Sequence, residues 1–358
     1  MGVRDELTNS RLPAGEPARL DLSHAEADEV NGLLDRLTGT YDSAASPGFL
    51  RDAPLYGHEL PLRLRRFLTG MRSSESAGAW VVSGLPVDDA AIGPTPEIWT
   101  TQPDPSSTVR EEMWLVVCST LLGDVFAWAT QQRGALIHDI SPVRGHERSQ
   151  LGSGSSGLLW WHTEEAFHPL KCDYLALFCL RNPDRVATTV ASITDVVLDK
   201  EVLRALFEPQ FVIRPDDSHL SKPQGGPARS DMDYELLGKA QDRIERMNTR
   251  PTRVPVLSGD PSSPYLSIDP FYMDVANHDP RAQAALDAIS AAIDARLRDV
   301  ILVPGEILFI DNLRAVHGRR PFGARFDGTD RWLKRVNVTR DLRKSRAART
   351  TCESRIIY

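Results

Sequence analysis

Between Trp160 and His168 the chain reads Trp160-Trp161-His162-Thr163-Glu164-Glu165-Ala166-Phe167-His168, and these histidines and carboxylates are well suited to hold a metal ion. On an extended segment successive side chains alternate in direction, so His162 and Glu164 share a face and form half of a chelate. On a helix the same two would diverge by roughly 200°, at about 100° per residue. The third ligand must come from elsewhere. His317 is the best candidate: the apolar run Ile307–Ile310 ends at Asp311-Asn312, and the chain resumes into His317-Gly318, where glycine permits close backbone approach. Two imidazoles and one carboxylate on one face of an iron(II) ion leave three positions open. That is room for 2-oxoglutarate, through its C1 carboxylate and keto oxygen, and for dioxygen. His168 competes with His317, since His162, Glu164 and His168 would make a zinc-type cluster, although the His-Glu-x-x-His pattern of a zincin helix is absent.

A dicarboxylate such as 2-oxoglutarate also needs a fixed, permanently charged donor for its far end, and arginine offers a planar fork of N–H groups. Fourteen residues beyond His317 the chain runs Arg331-Trp332-Leu333-Lys334-Arg335-Val336-Asn337-Val338-Thr339. Strand alternation places Arg331, Leu333 and Arg335 on one face and Trp332, Val336 and Val338 on the other. Arg331 is therefore the expected anion anchor, and the Thr188-Thr189 pair supplies a hydroxyl, with Thr189 preferred. Surface ion pairing on an edge strand is the plainer role for the same arginines.

Around these residues the chain must build a rigid frame. Ser23 fits a helix N-cap before an acidic first turn and the apolar residues Val30, Leu33, Leu34 and Leu37. Further helices are expected over Glu59–Met71, Arg110–Leu122 and Pro280–Leu297. From about residue 158 the texture becomes β-rich, with runs at Tyr174–Leu180, Val186–Ile193, Gln210–Ile213, Tyr265–Ile268, Val300–Val303, Ile307–Ile310 and Trp332–Thr339. Turn residues between them point to a sandwich or barrel core. The polar stretch from about 214 to 253, with Pro215, Pro223, Gly225, Gly226 and Pro227, reads as a lid insert, and residues 1–15 as a flexible tail.

With 358 residues and 41% hydrophobic content, the chain can fill one large core, and a single domain over 1–358 is expected. A net charge of −7 and a pI near 5.8 argue against nucleic-acid or anionic-membrane partners. Cys118, Cys172, Cys179 and Cys352 form no CxxC pair and read as reduced thiols. The N-terminus has no apolar signal segment, and no run of eighteen apolar residues occurs. A cytoplasmic protein is expected. The oligomeric state is not legible.

Taken together, these motifs resemble the clavaminate-synthase-like branch of the iron(II)/2-oxoglutarate oxygenases, nearest to the L-arginine hydroxylases of peptide-antibiotic biosynthesis, of the viomycin type. The resemblance runs from about Ala44 to about Arg346. It is carried by the blocks Leu122–Gln132, Trp161–Glu164, Leu180–Asp184, Ile213–His219, Ile310–Asn312, His317–Arg320 and Asp330–Arg335. It implies an α+β fold with a double-stranded β-helix (jelly-roll) core flanked by helices. It also implies iron on His162, Glu164 and His317, and 2-oxoglutarate on Arg331 and Thr189. A free amino-acid substrate would meet Gln131, Glu164, Asp216, Ser218, Asp269 and Arg335, with Leu151 and Ser153 at its head group. Asp216, Ser218 and Asp269 supply the carboxylates and hydroxyl that a guanidinium requires. By their composition alone, Asp216 and Asp269 would be turn residues.

One departure stands out. The viomycin-type enzymes have an acid two residues beyond the position of Asp269, whereas this chain continues Asp269-Pro270-Phe271-Tyr272. The resemblance thus implies hydroxylation of L-arginine at C3, and it leaves open a second hydroxylation at C4, another amino acid, desaturation or cyclisation, or a cyclised guanidine such as enduracididine. Readings from other classes are a non-catalytic β-sandwich binding protein and a zinc hydrolase.

Overall fold

The computed structural model describes residues 16–74, 77–101, 106–220 and 232–358. The expected tail, residues 1–15, and the central part of the expected lid lie outside them.

The longest apolar runs of the sequence become the middle of an eight-stranded sheet. Its order is Ala18–Asp21, Ala79–Ser83, Ile307–Asp311, Tyr174–Arg181, Trp332–Thr339, Asp124–Trp128 and Ile356–Ile357, with His138–Ile140 also pairing with Trp332–Thr339. Ile307–Asp311 is buried along its whole length because it is hydrogen-bonded on both edges and covered on both faces. That is why it reads as a continuous apolar stretch without alternation. A second sheet has the order Arg298–Val300, Thr188–Ser192, Ala315–Arg319 and Leu159–His162, and all its pairings are antiparallel.

The two sheets face each other across a core that includes Leu175, Leu177, Val190, Leu308, Ile310, Ala315 and Leu333. Together they form the jelly-roll core. Helices close both outer faces. His24–Thr38, Pro47–Gly57, Leu62–Ser74 and Val109–Thr120 pack on the larger sheet, where Trp332, Val336 and Val338 point. Lys200–Leu206 and Pro280–Asp294 cover the smaller sheet. The first helix starts as expected: the Ser23 hydroxyl accepts the Glu26 N–H at 3.3 Å while the Glu26 carboxylate accepts the Ser23 N–H at 2.8 Å, a reciprocal capping box.

Two elements differ from expectation. The polar stretch before Arg253 holds the short helix Asp217–Leu220 and the full helix Tyr234–Thr249, the latter capped by Asp233. Pro215, Pro223, Gly225, Gly226 and Pro227 all precede the second helix in sequence, and Gly238 is accommodated within it. Ala79–Ser83 and Asp124–Trp128 are strands at positions read as unassigned or as the continuation of a helix.

Candidate active site

The metal-type cluster is built by two paired strand ends. His162 closes Leu159–His162, and His317 lies directly opposite it in the ladder. Their rings are 4.6 Å apart, centroid to centroid. Gly318 makes this approach possible: a Cβ there would sit 2.6 Å from the Leu159 carbonyl oxygen and 3.0 Å from the Trp161 nitrogen. Beyond His162 the chain is pinned twice. Thr163 exchanges hydrogen bonds with Ile268 through both its backbone N–H (2.9 Å) and its hydroxyl (3.1 Å). Asn312 then fixes the Glu164 main chain, after which Glu165 turns the chain away at φ 54°.

Glu164 Oε2 lies 3.8 Å from His162 Nε2 and 3.4 Å from His317 Nε2. One donor atom from each residue falls within 4.8 Å of the others. His162 Nδ1 is 2.8 Å from the Trp160 carbonyl, which can only accept. Nδ1 therefore carries a hydrogen, and Nε2 is turned toward Glu164. Burial opposes charge on His162, yet the Glu164 hydrogen bond and the Asp269 and Glu164 charges push its pKa up to about 9. The arrangement favours positive charge between the rings and the carboxylate, so the donor set fits a divalent cation. His168 is not part of it. Its ring packs 4.3 Å from Trp128, its Nδ1 accepts the Leu170 N–H at 3.0 Å, and burial pushes its pKa down to about 3.

From Glu164 a chain of polar contacts runs along one wall. Arg335 Nη1 donates to Glu164 Oε1 at 2.5 Å, and Arg335 Nη2 meets His138 Nδ1 at 2.8 Å and Gln131 Oε1 at 3.3 Å. Gln131 Nε2 donates to the Ser218 hydroxyl at 2.7 Å, which donates in turn to Asp216. Burial raises the Glu164 pKa, but Arg335 and the two histidines outweigh it and hold the carboxyl well below its usual range. Asp269, on the same cavity, is pushed up to about 6, by burial first and also by Asp216.

Arg331 is buried and donates through Nη2 to the Thr188 hydroxyl at 3.1 Å. The preference for Thr189 is corrected here. Thr188 pairs with Arg319 and lines the cavity, whereas Thr189 pairs with Gly318, and its hydroxyl lies 2.8 Å from where a Cβ at Gly318 would stand, on the opposite face. Alternation leaves one hydroxyl of the pair pointing inward, and it is the first.

A cavity of about 1080 Å³ joins these groups. His162, Glu164, His317, Arg331, Thr188, Gln131, Leu151, Ser153, Asp216, Ser218, Asp269 and Arg335 all line it. Ser153 is held by His146 Nδ1 at 2.9 Å. Three contributors had not been singled out from sequence. His138 and Arg319 carry no spacing signal, and Asn312 was read only as a turn. Arg319 is buried, and burial and the nearby Arg331 push its pKa down to about 9.

Residues 121–337, more than half of the chain, match the family described as taurine catabolism dioxygenase TauD, TfdA family. The chain belongs to this dioxygenase family. Among its relatives, enduracididine beta-hydroxylase of Streptomyces hygroscopicus is 47% identical, the match covering 95% of this chain and 99% of the relative. L-ornithine/L-arginine 3-hydroxylase of Catenulispora acidiphila is 42% identical over the same shares. The crystal structure of the non-heme iron oxygenase OrfP in complex with Fe, succinate and (3S)-hydroxy-L-Arg superposes with a TM-score of 0.88 at 43% identity, covering 95% of this chain and 99% of that one. Other crystal structures of OrfP hold Fe with alpha-ketoglutaric acid, L-Arg, or succinate and (3R,4R)-dihydroxy-L-Arg. Among the described residues no helix is long and apolar enough to cross a membrane.

Proposed function

We propose that the protein is an iron(II)- and 2-oxoglutarate-dependent hydroxylase of free L-arginine, acting at C3 and then at C4, in antibiotic biosynthesis. One observation carries this reading. A single cavity joins the His162–Glu164–His317 donor set, the buried Arg331, which has no acidic partner among the described residues, and the two carboxylates of Asp216 and Asp269. The relatives at 47% and 42% identity, an enduracididine beta-hydroxylase and an L-ornithine/L-arginine 3-hydroxylase, support an arginine-type substrate.

His162, Glu164 and His317 would hold the iron, which supplies the activation of dioxygen. Overall, 2-oxoglutarate, dioxygen and the amino acid give succinate, carbon dioxide and the hydroxylated amino acid, one oxygen atom entering each of succinate and product. Arg331 and Thr188 grip the far carboxylate of 2-oxoglutarate and so fix its reacting end relative to His162 and His317. Leu151, Ser153, Gln131 and Arg335 receive the amino-acid head group. Asp269, a carboxylate whose pKa is raised first by burial and also by Asp216, takes the guanidinium with Asp216 and Ser218. Which C–H bond faces the iron then follows from where these two ends are held. The segment 214–253 acts as the lid of a single catalytic domain. Scattered, unpaired cysteines fit a reducing cytoplasm.

A cyclised guanidine is the second reading. Phe271, half-exposed on the cavity wall two residues past Asp269, offers an apolar face where a second acid would favour an open guanidinium. The clustered donors and the family membership give a non-catalytic sandwich or a zinc hydrolase no support. Competition among L-arginine, enduracididine and L-asparagine, with iron(II) and 2-oxoglutarate present, tests the choice. Mass spectrometry is expected to find one and then two added oxygen atoms on arginine. Preference for enduracididine selects the second reading, and oxidation of neither removes both.

A further inference from the structure

Two residues past His317, on the same inward face of the strand, stands Arg319. Its ladder partner is Thr188, the residue whose hydroxyl receives Arg331. Two guanidiniums therefore converge on one corner of the cavity, and they are only 3% and 5% exposed. Arg319 uses Nη1 on the carbonyls of Ser155 (2.8 Å) and Arg320 (3.2 Å), and Nη2 on that of Gly157 (3.2 Å). Arg331 uses Nη2 on Thr188. The Nε atoms of both are buried without a partner. No carboxylate pairs with either guanidinium among the described residues, although buried charges are normally paired. Carbonyl dipoles offset part of that cost for Arg319, and an anion in the corner would offset the rest for both.

We propose that Arg319 is a second cosubstrate-positioning residue, adding its charge to the Arg331–Thr188 site so that the corner selects the far carboxylate of a dicarboxylate. Its carbonyl bonds also hold the 155–157 turn at the end of the loop that carries Leu151 and Ser153. This inference rests on the reading of Arg331 as the cosubstrate anchor. Arg319 lies in the block His317–Arg320 but was given no role there.

Glutarate isolates the corner, because it has both carboxylates of 2-oxoglutarate and lacks the keto oxygen needed to chelate. Its binding to chelator-stripped protein is measured by calorimetry for the wild type, R319Q, R319K and R331Q, with circular dichroism checking the fold. Wild-type protein is expected to bind, R319Q about tenfold more weakly, the weight of one charge-assisted contact, and R319K in between. In turnover assays R319Q should raise KM for 2-oxoglutarate and leave KM for the amino acid within about twofold. The proposal is overturned if wild-type protein does not bind glutarate, or if R319Q binds it as tightly as wild type. It is also overturned if R319K and R319Q weaken glutarate equally while both KM values rise together, since Arg319 would then be a loop scaffold only. Undiminished binding by R331Q would instead remove the reading of Arg331.

Discussion

Asn312 clasps Glu164 from behind: its Oδ1 accepts the Glu164 N–H at 2.7 Å, and its Nδ2 donates to the Glu164 carbonyl at 3.0 Å and to the Cys172 carbonyl at 2.9 Å. A residue 148 positions away thus replaces, at one point, the ladder partner that a strand would have supplied. Removing the amide leaves buried main-chain groups unsatisfied, at about 1–3 kcal/mol each. Asn312→Ala is therefore expected to lose about 3 kcal/mol of stability in urea unfolding. It should also weaken iron(II) binding by roughly 10- to 100-fold, as loss of a ligand's outer support does. Unchanged metal affinity would show that Thr163 alone orients Glu164.

The two neighbouring threonines should separate cleanly. Thr188→Val removes the hydroxyl that meets Arg331 and should raise KM for 2-oxoglutarate about tenfold, the value of a hydrogen bond to a charged group. Thr189→Val, on the other face of the strand, should leave that KM within about twofold. The opposite order would place the anchor at Thr189, the residue preferred from the sequence.

Gly318→Ala forces a methyl group into the Leu159 carbonyl and the Trp161 nitrogen across the ladder. Overpacking of this kind costs about 1–3 kcal/mol. The two strands it pushes apart each carry one of the histidines, so metal binding should fall more than global stability does. Equilibrium dialysis of iron(II) alongside thermal unfolding distinguishes the two losses.

Asp269→Asn keeps the two backbone N–H bonds from Phe271 and Tyr272 within reach and deletes the charge. Turnover of a guanidine substrate should drop by roughly 10- to 100-fold in kcat/KM, since hydrogen bonds to charged groups are worth about 1.5–3 kcal/mol. KM for 2-oxoglutarate should hardly change. Equal loss on both substrates would place Asp269 at the iron rather than at the guanidinium.

His168 predicts a pH effect on stability that is separate from catalysis. Burial pushes its folded-state pKa down to about 3 from an ordinary 6.5. Between those values the unfolded chain binds a proton that the folded one refuses, so stability falls as pH falls through this window, by up to about 1.4 kcal/mol per pH unit. His168→Gln should flatten the urea midpoint between pH 6 and pH 4 relative to wild type.

Local patterns were enough for the helix capped by Ser23, the buried strand Ile307–Asp311 and the inward face of Arg331, Leu333 and Arg335. Each of these depends on spacing within a few residues. The choice between Thr188 and Thr189 depended on the register of three strands, and a slip of one residue exchanges the faces. His138 lies 197 positions from its partner Arg335, so no local pattern could announce the contact. The helix Tyr234–Thr249 was hidden by the prolines and glycines before it, which marked a boundary and were read as a loop.

The central claim is that His162, Glu164 and His317 hold an iron whose chemistry couples 2-oxoglutarate oxidation to amino-acid hydroxylation. The most direct measurement counts succinate and hydroxylated amino acid formed from 2-oxoglutarate and L-arginine, in air and under nitrogen, for wild type and His317→Ala. The account predicts equal amounts of both products for wild type in air with iron(II), and background for every other combination. Turnover that survives under nitrogen, or full activity in His317→Ala, would contradict it.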